Sequence, residues 1–139
     1  MRFVEEVVVE EFLPTVRSML AADLRDRGFT QREVADALGI SQSAVSKYAH
    51  SGVATSDRIS VDERVRELVE RIGDGLATGD VSRVQALIEL EVLIRQLEDG
   101  GLLAERHRET MPELREYDAA FDVHDPESGA RTDERTCSV

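Results

Sequence analysis

Four times in this chain a residue able to cap a helix stands three places before a glutamate or glutamine. The four are Thr30-Gln31-Arg32-Glu33, Ser60-Val61-Asp62-Glu63, Ser82-Arg83-Val84-Gln85 and Thr110-Met111-Pro112-Glu113. In such a box the first side chain accepts from the amide three residues on, and the Glu or Gln reaches back to the cap's own amide. Two donors that the helix start would leave unpaired are thereby satisfied. Glycines that stop helices fall between these starts, at 28, 39, 52, 73, 75, 79 and 100–101. Alternating strand patterns are nearly absent. The spacing predicts an all-α chain with helices near 13–27, 31–38, 42–50, 61–77, 82–99 and 112–120, and a further short helix over 102–108. At the N-terminus two readings stand: Val7-Val8-Val9 fits a short strand, and Phe3, Val7 and Phe12 fit the inner face of a helix.

Charge narrows the classes. The 139 residues carry 29 Asp+Glu against 17 Lys+Arg, a net charge of −12. That balance excludes a generally basic nucleic-acid coat and a polybasic membrane-surface protein. No apolar run approaches the roughly 18–20 residues that span a bilayer, and the first residues lack a signal peptide's architecture, so a soluble, cytoplasmic protein is expected. The lone Cys137 supplies neither an internal disulfide nor a cysteine zinc site. Lys47 is the single lysine among the 17 basic residues. Acid excess with lysine poverty matches proteins that work in molar intracellular salt, where hydrated carboxylates keep a chain dissolved. A GC-rich genome would explain the missing lysine but not the surplus acid.

The acid is unevenly spread. Residues 1–12 sum to −3, 51–100 to −5 and 101–139 to −5, whereas 13–50 sum to +1. A polyanion meets least repulsion on that middle segment. Its core, Thr30–His50, reads TQREVADALGISQSAVSKYAH. Val34, Ala35 and Leu38 recur at helical spacing, with Ala35 small where two helices would cross. Gly39 suits the left-handed conformation of a tight turn, and Ile40 plugs the corner. Ser41 caps the next helix, whose Val45, Tyr48 and Ala49 face back. That is a helix-turn-helix, a unit that lays its second helix in the DNA major groove. The outward face of that helix offers Gln42, Ser43, Ser46 and Lys47 for base contacts: Gln pairs with adenine, Lys donates to guanine or phosphate, and Ser accepts several edges. Gln31 and Arg32 at the start of the preceding helix, with Arg25, Arg27 and His50, are candidate phosphate contacts.

On these residues the chain resembles the lambda-repressor-like (XRE-type) helix-turn-helix family. More fully, it resembles archaeal predicted transcriptional regulators, haloarchaeal ones among them. Phe12-Leu13-Pro14 is similar to their opening, and the stretch from Thr30 to Tyr48 to their recognition unit. Leu93-Ile94-Arg95, Gly101-Leu102-Leu103, Glu105–Glu109 and Pro112-Glu113-Leu114 are similar to their later region. Relatives often carry cysteines there, where this chain has Ala104, so no metal or redox role is carried over. The resemblance implies a DNA-binding transcriptional regulator.

Downstream, Val61, Val65, Leu68, Ile72 and Leu76 make one apolar stripe. Val84, Leu87, Leu90, Ile94 and Leu97 make another, widened by Ile88, Val92 and Leu93. A dimerisation module is expected from them, with Val65, Leu68, Ile72, Leu87, Leu90, Ile94 and Leu97 at the interface; an intrachain bundle is the alternative. The organisation expected is a helix-turn-helix DNA-binding domain over 1–55, a helical dimerisation and regulatory region over 56–121, and a disordered acidic tail over 122–139. The partners expected are double-stranded DNA, a second copy of the chain and the basal transcription machinery, with no membrane and no named effector. His50, His107 and His124 have no metal-ligand spacing, and no nucleophile–base pattern or phosphate-cradling loop is present, so neither a cofactor nor an enzymatic activity is expected. Two other functions fit the composition. One is a protein-interaction adaptor in which the helix-turn-helix is structural; the other is a sensor with a ligand between the helices of 61–99.

Overall fold

A computed structural model describes residues 1–49 and 55–117. Among these the structure is all-α. In chain order it holds α1 (Val4–Val7), a π-helical segment (Val8–Phe12), α2 (Leu13–Asp26), α3 (Gln31–Leu38), α4 (Gln42–Ala49), α5 (Asp57–Ser60), α6 (Glu63–Thr78), α7 (Arg83–Glu98), α8 (Leu102–Thr110) and a 3₁₀ turn (Pro112–Tyr117). His50 and the acidic tail from 122 lie outside the described residues.

The N-terminus is helix, which closes the question left between strand and helix. Val7 and Phe12 are fully buried and Val8 nearly so, whereas Phe3 precedes the helix and is exposed. The π-helical stretch ends just before Pro14, which has no amide proton for the Glu10 carbonyl; widened turns are a usual way to absorb such a break. Thr15, the one buried polar residue among those described, is satisfied twice over. Its hydroxyl donates to the Glu11 carbonyl at 2.7 Å and accepts from the Ser56 amide at 2.8 Å, tying α2 to the segment that leads into α5.

Two of the four capping boxes form as read. Thr30 and Ser82 each accept from the amide three residues on, and Glu33 and Gln85 reach back. The other two do not. Ser60 closes the short helix α5, with its hydroxyl donating to the Asp57 carbonyl, and Asp62 caps α6 by accepting from the Val65 amide at 3.1 Å. Val61 is therefore outside α6 and exposed. Thr110 ends α8 in the same manner, donating to the His107 carbonyl; of the helix expected over 112–120, the described part, Pro112–Tyr117, is a 3₁₀ turn, and 118–120 lie outside the described residues.

Two apolar clusters organise the molecule. The larger joins Phe12, Val16 and Leu20 to Val65, Leu68 and Ile72 of α6, Leu93 and Leu97 of α7, and Leu103 of α8. The smaller holds Ala21, Leu24, Val34, Ala35 and Val45, and Leu38 and Leu76 touch both. Helix α2 thus serves both clusters along its length. Each fully buried large side chain contributes about 1.5–3 kcal/mol, so the larger cluster dominates stability.

This packing corrects the expected dimer surface. Val65, Ile72 and Leu97 are fully buried and Leu68 nearly so, within one chain; Leu90 and Ile94 pack partly against the same core. The α6 stripe is used against α2, and of the seven residues expected at the interface Leu87 alone stands mostly exposed.

The start of α7 is set by Gly75. The Val81 amide donates to the Gly75 carbonyl at 3.0 Å, and a Cβ on Gly75 would lie 2.6 Å from the Val81 Cβ. The chain can reverse this tightly into α7 because residue 75 has no side chain.

Candidate nucleic-acid interface

Helix α3 begins at a closed capping box. Thr30 Oγ1 accepts from the Glu33 amide at 3.1 Å, and Glu33 Oε1 accepts from the Thr30 amide at 2.8 Å. It ends at Gly39, whose φ of +69° is left-handed backbone that a residue with a Cβ adopts only at a cost. The Ile40 amide returns to the Ala35 carbonyl at 3.1 Å, and Ser41 Oγ then accepts from the Ala44 amide at 3.1 Å to open α4. Only two residues, Ile40 and Ser41, separate Gly39 from α4, so the second helix is aimed by this hydrogen-bonded corner.

The residues expected to build the unit meet. Val34, Ala35 and Val45 are buried together, and Leu38, Ile40 and Tyr48 pack partly buried around them with Phe29. Ala49, expected to face inward, is exposed.

The outward face of α4 presents Gln42, Ser43 and Lys47 as exposed side chains, with Ser46 half-buried beside them. Ser43 Oγ lies 3.3 Å from Ser41 Oγ. Arg32 is exposed and Gln31 half-buried at the start of α3. Neither Arg32 nor Lys47 forms an ion pair among the described residues, so both charges face solvent.

The two arginines preceding the unit have different fates. Arg25 Nη1 donates to the Phe29 carbonyl at 3.0 Å, which steadies the loop into α3, and Arg25 has no ion pair among the described residues. Arg27 is occupied. Its Nε donates to Asp23 at 2.8 Å, its Nη1 to Asp74 at 3.2 Å and its Nη2 to the Glu70 carbonyl at 3.4 Å. The hydrogen bond to Asp23 holds the Arg27 guanidinium pKa above its ordinary value, with Asp74 and Glu70 adding to it. Arg27 thereby fastens α2 to α6, and the structure gives the expected phosphate clamp two carboxylates in place of a phosphate.

Arg83 was not anticipated at this site. From the start of α7 its Nη1 donates to the Asp36 carbonyl at 3.3 Å, in the last turn of α3. The two lie 47 positions apart in the chain, and no local pattern marks the pairing. Among the described residues there is no cluster of His, Cys, Asp and Glu able to hold a metal ion, and no helix is long and apolar enough to cross a membrane.

Comparison with known proteins agrees with this geometry over the segment where it is found. No match to a curated protein or to a solved structure was found. Residues 20–58 match the family model described as helix-turn-helix, a span that runs from the middle of α2 through α4 into α5. The chain therefore carries a helix-turn-helix domain over residues 20–58, which supports a DNA-binding regulator.

Proposed function

We propose that this protein is a sequence-specific transcriptional regulator that binds double-stranded DNA as a homodimer on a near-palindromic promoter site, through its 42–50 segment. The observation that carries the reading is the outward face of α4. Gln42, Ser43 and Lys47 stand exposed on a helix whose other side is locked by Val45 into a complete helix-turn-helix. Gln42 is suited to adenine, Lys47 to guanine or phosphate, and Ser43 and Ser46 to several base edges. Gln31 and Arg32 at the start of α3, with Arg25, suit backbone phosphates. A two-fold dimer would read half-sites about 34–36 Å apart. Occupying such a site would block or recruit the basal transcription machinery.

The acid excess and the single lysine support the further reading of a halophilic archaeal source. At molar salt the Debye length falls to about 3 Å and counterion release yields little. Specificity then rests on fitted hydrogen bonds more than on bulk charge.

Immunoprecipitation of the protein with its genomic DNA, followed by footprinting on an enriched site, tests the reading. A shared motif is expected, with protection lost in Lys47→Ala and Gln42→Ala while far-UV circular dichroism stays helical. No enrichment anywhere would favour the adaptor, and unchanged footprints in both variants would displace the reading face from α4.

A further inference from the structure

Four large apolar side chains on α7 have no cover. Val84 is 63% exposed, Leu87 58%, Ile88 56% and Val92 43%, values that belong to surface residues and not to the rim of a core. Their spacing puts them on one stripe of the helix, and α7 stands as a ridge between two grooves. One, of about 560 Å³, lies between α7 and the floor made by Phe12, Val16, Leu20 and Leu38. The other, of about 310 Å³, runs between α7 and α6. A ridge bearing apolar knobs beside an apolar groove complements itself: a second copy turned by a two-fold axis sets each ridge into the other's groove.

We infer that α7 is the surface on which two copies of this chain meet, antiparallel and centred on Leu87. The inference rests on the homodimer proposed above and names its interface. Charge selects both the occupant and the register. Two chains of net charge −12 repel, so copies approach best where the surface carries little charge; from Val84 to Val92 this stripe bears one charge, Glu91, with Arg83 just before it and Arg95 just beyond. In an antiparallel pair centred on Leu87, the residue n places before it faces the residue n places after it. Arg83 and Glu91 are each four places away, so every Arg83 meets the Glu91 of the partner copy, and the pairing occurs twice. Centring on Ile88 instead would set Glu91 against Gln85 and Arg83 against Leu93, and both charges would be wasted.

Both groups are open to such a partner. Arg83 binds only the Asp36 carbonyl and has no ion pair among the described residues. Glu91 is held loosely, 3.8 Å from an Arg95 that is itself 73% exposed. The walls of the larger groove include Leu38 and Gly39 of the helix-turn-helix corner but no residue of α4. A pair assembled here leaves Gln42, Ser43 and Lys47 uncovered for DNA.

The test is the mass of the full-length protein by sedimentation velocity and light scattering. The wild type is expected at twice the 15.5 kDa chain mass. Leu87→Glu places two carboxylates against each other on the axis and is expected to give a monomer with unchanged helical circular dichroism. Glu91→Arg opposes like charges and is expected to raise the dissociation constant at least tenfold, and the exchange Arg83→Glu with Glu91→Arg is expected to recover most of it. A dimeric Leu87→Glu overturns this surface and leaves the homodimer reading intact. An exchange that recovers nothing overturns the Leu87-centred register. A wild type that stays monomeric at every concentration overturns both, and makes α7 the seat of some other protein, while footprinting still decides DNA binding independently.

Discussion

Arg83 lies across Gly39, the turn glycine of the helix-turn-helix. Its Cδ and Nη1 stand 3.0 and 3.2 Å from the position that a Cβ on Gly39 would take, and Nη1 donates to the Asp36 carbonyl at 3.3 Å. The first residue of α7 is thus in contact with the corner that aims α4. The proposed interface helix and the proposed reading helix share one joint.

That joint separates two contributions to stability. Gly39→Ala must adopt a φ of +69° with a Cβ present, a conformation costing about 1–2 kcal/mol. It must also displace Arg83, which is a long side chain with room to move and adds little. We expect Gly39→Ala to lower the urea-unfolding free energy by about 1–2 kcal/mol, and by nearly the same amount in an Arg83→Ala background. A loss that vanished without Arg83 would place the cost in the side-chain contact and not in the backbone.

A second expectation concerns Glu98 at the end of α7. Burial raises its carboxyl pKa, repulsion from Glu5 raises it further, and Arg95 offsets part of the rise. A carboxyl whose folded pKa lies above its unfolded one binds protons more readily in the folded state. Folding stability therefore falls as pH rises through the interval between the two values, and the full penalty applies at neutral pH. Glu98→Gln removes the charge and is expected to raise the thermal midpoint at pH 7. The advantage should narrow as pH falls through the acid range, where the native carboxyl is already protonated. An advantage that stayed constant with pH would point to packing and away from charge.

The helix-turn-helix was legible in the sequence because its determinants are local. Thr30, Gly39 and Ser41 each act on amides or dihedrals within a few residues, and the structure uses all three as read. The boxes at Ser60 and Thr110 failed for a reason equally local. A hydroxyl accepts at a helix start and donates at a helix end, and the same four-residue pattern satisfies either role. At 60 the neighbouring Asp62 is the stronger acceptor and takes the cap.

What was not legible is partnership. Periodicity showed that Val65, Leu68 and Ile72 must be covered, but the cover is α2 of the same chain, which contributes Val16 and Leu20 from some 50 residues earlier. For Arg27 the spacing to Asp23, four residues earlier on α2, offers a local partner, but the link to Asp74, 47 positions away, does not show in sequence. Long-range pairings of this kind leave no spacing to detect.

The contrast between Arg27 and Lys47 gives the last expectation. Both are cations near the helix-turn-helix, and a count of charge treats them alike. Arg27 joins α2 to α6 through Asp23 and Asp74, so Arg27→Ala is expected to lower the thermal midpoint. That loss should shrink in molar salt, where exposed pairs are screened. Its effect on DNA affinity should stay within about twofold, since the guanidinium is already engaged by carboxylates. Lys47 has no ion pair among the described residues and faces solvent from α4, so Lys47→Ala should leave the midpoint in place. If it contacts a base edge, its removal costs about 1–3 kcal/mol, which is roughly a 5- to 150-fold loss in specific binding. Thermal melts and fluorescence anisotropy on one DNA site read both quantities. Equal losses of affinity in the two variants would mean that charge alone, and not the face of α4, carries recognition.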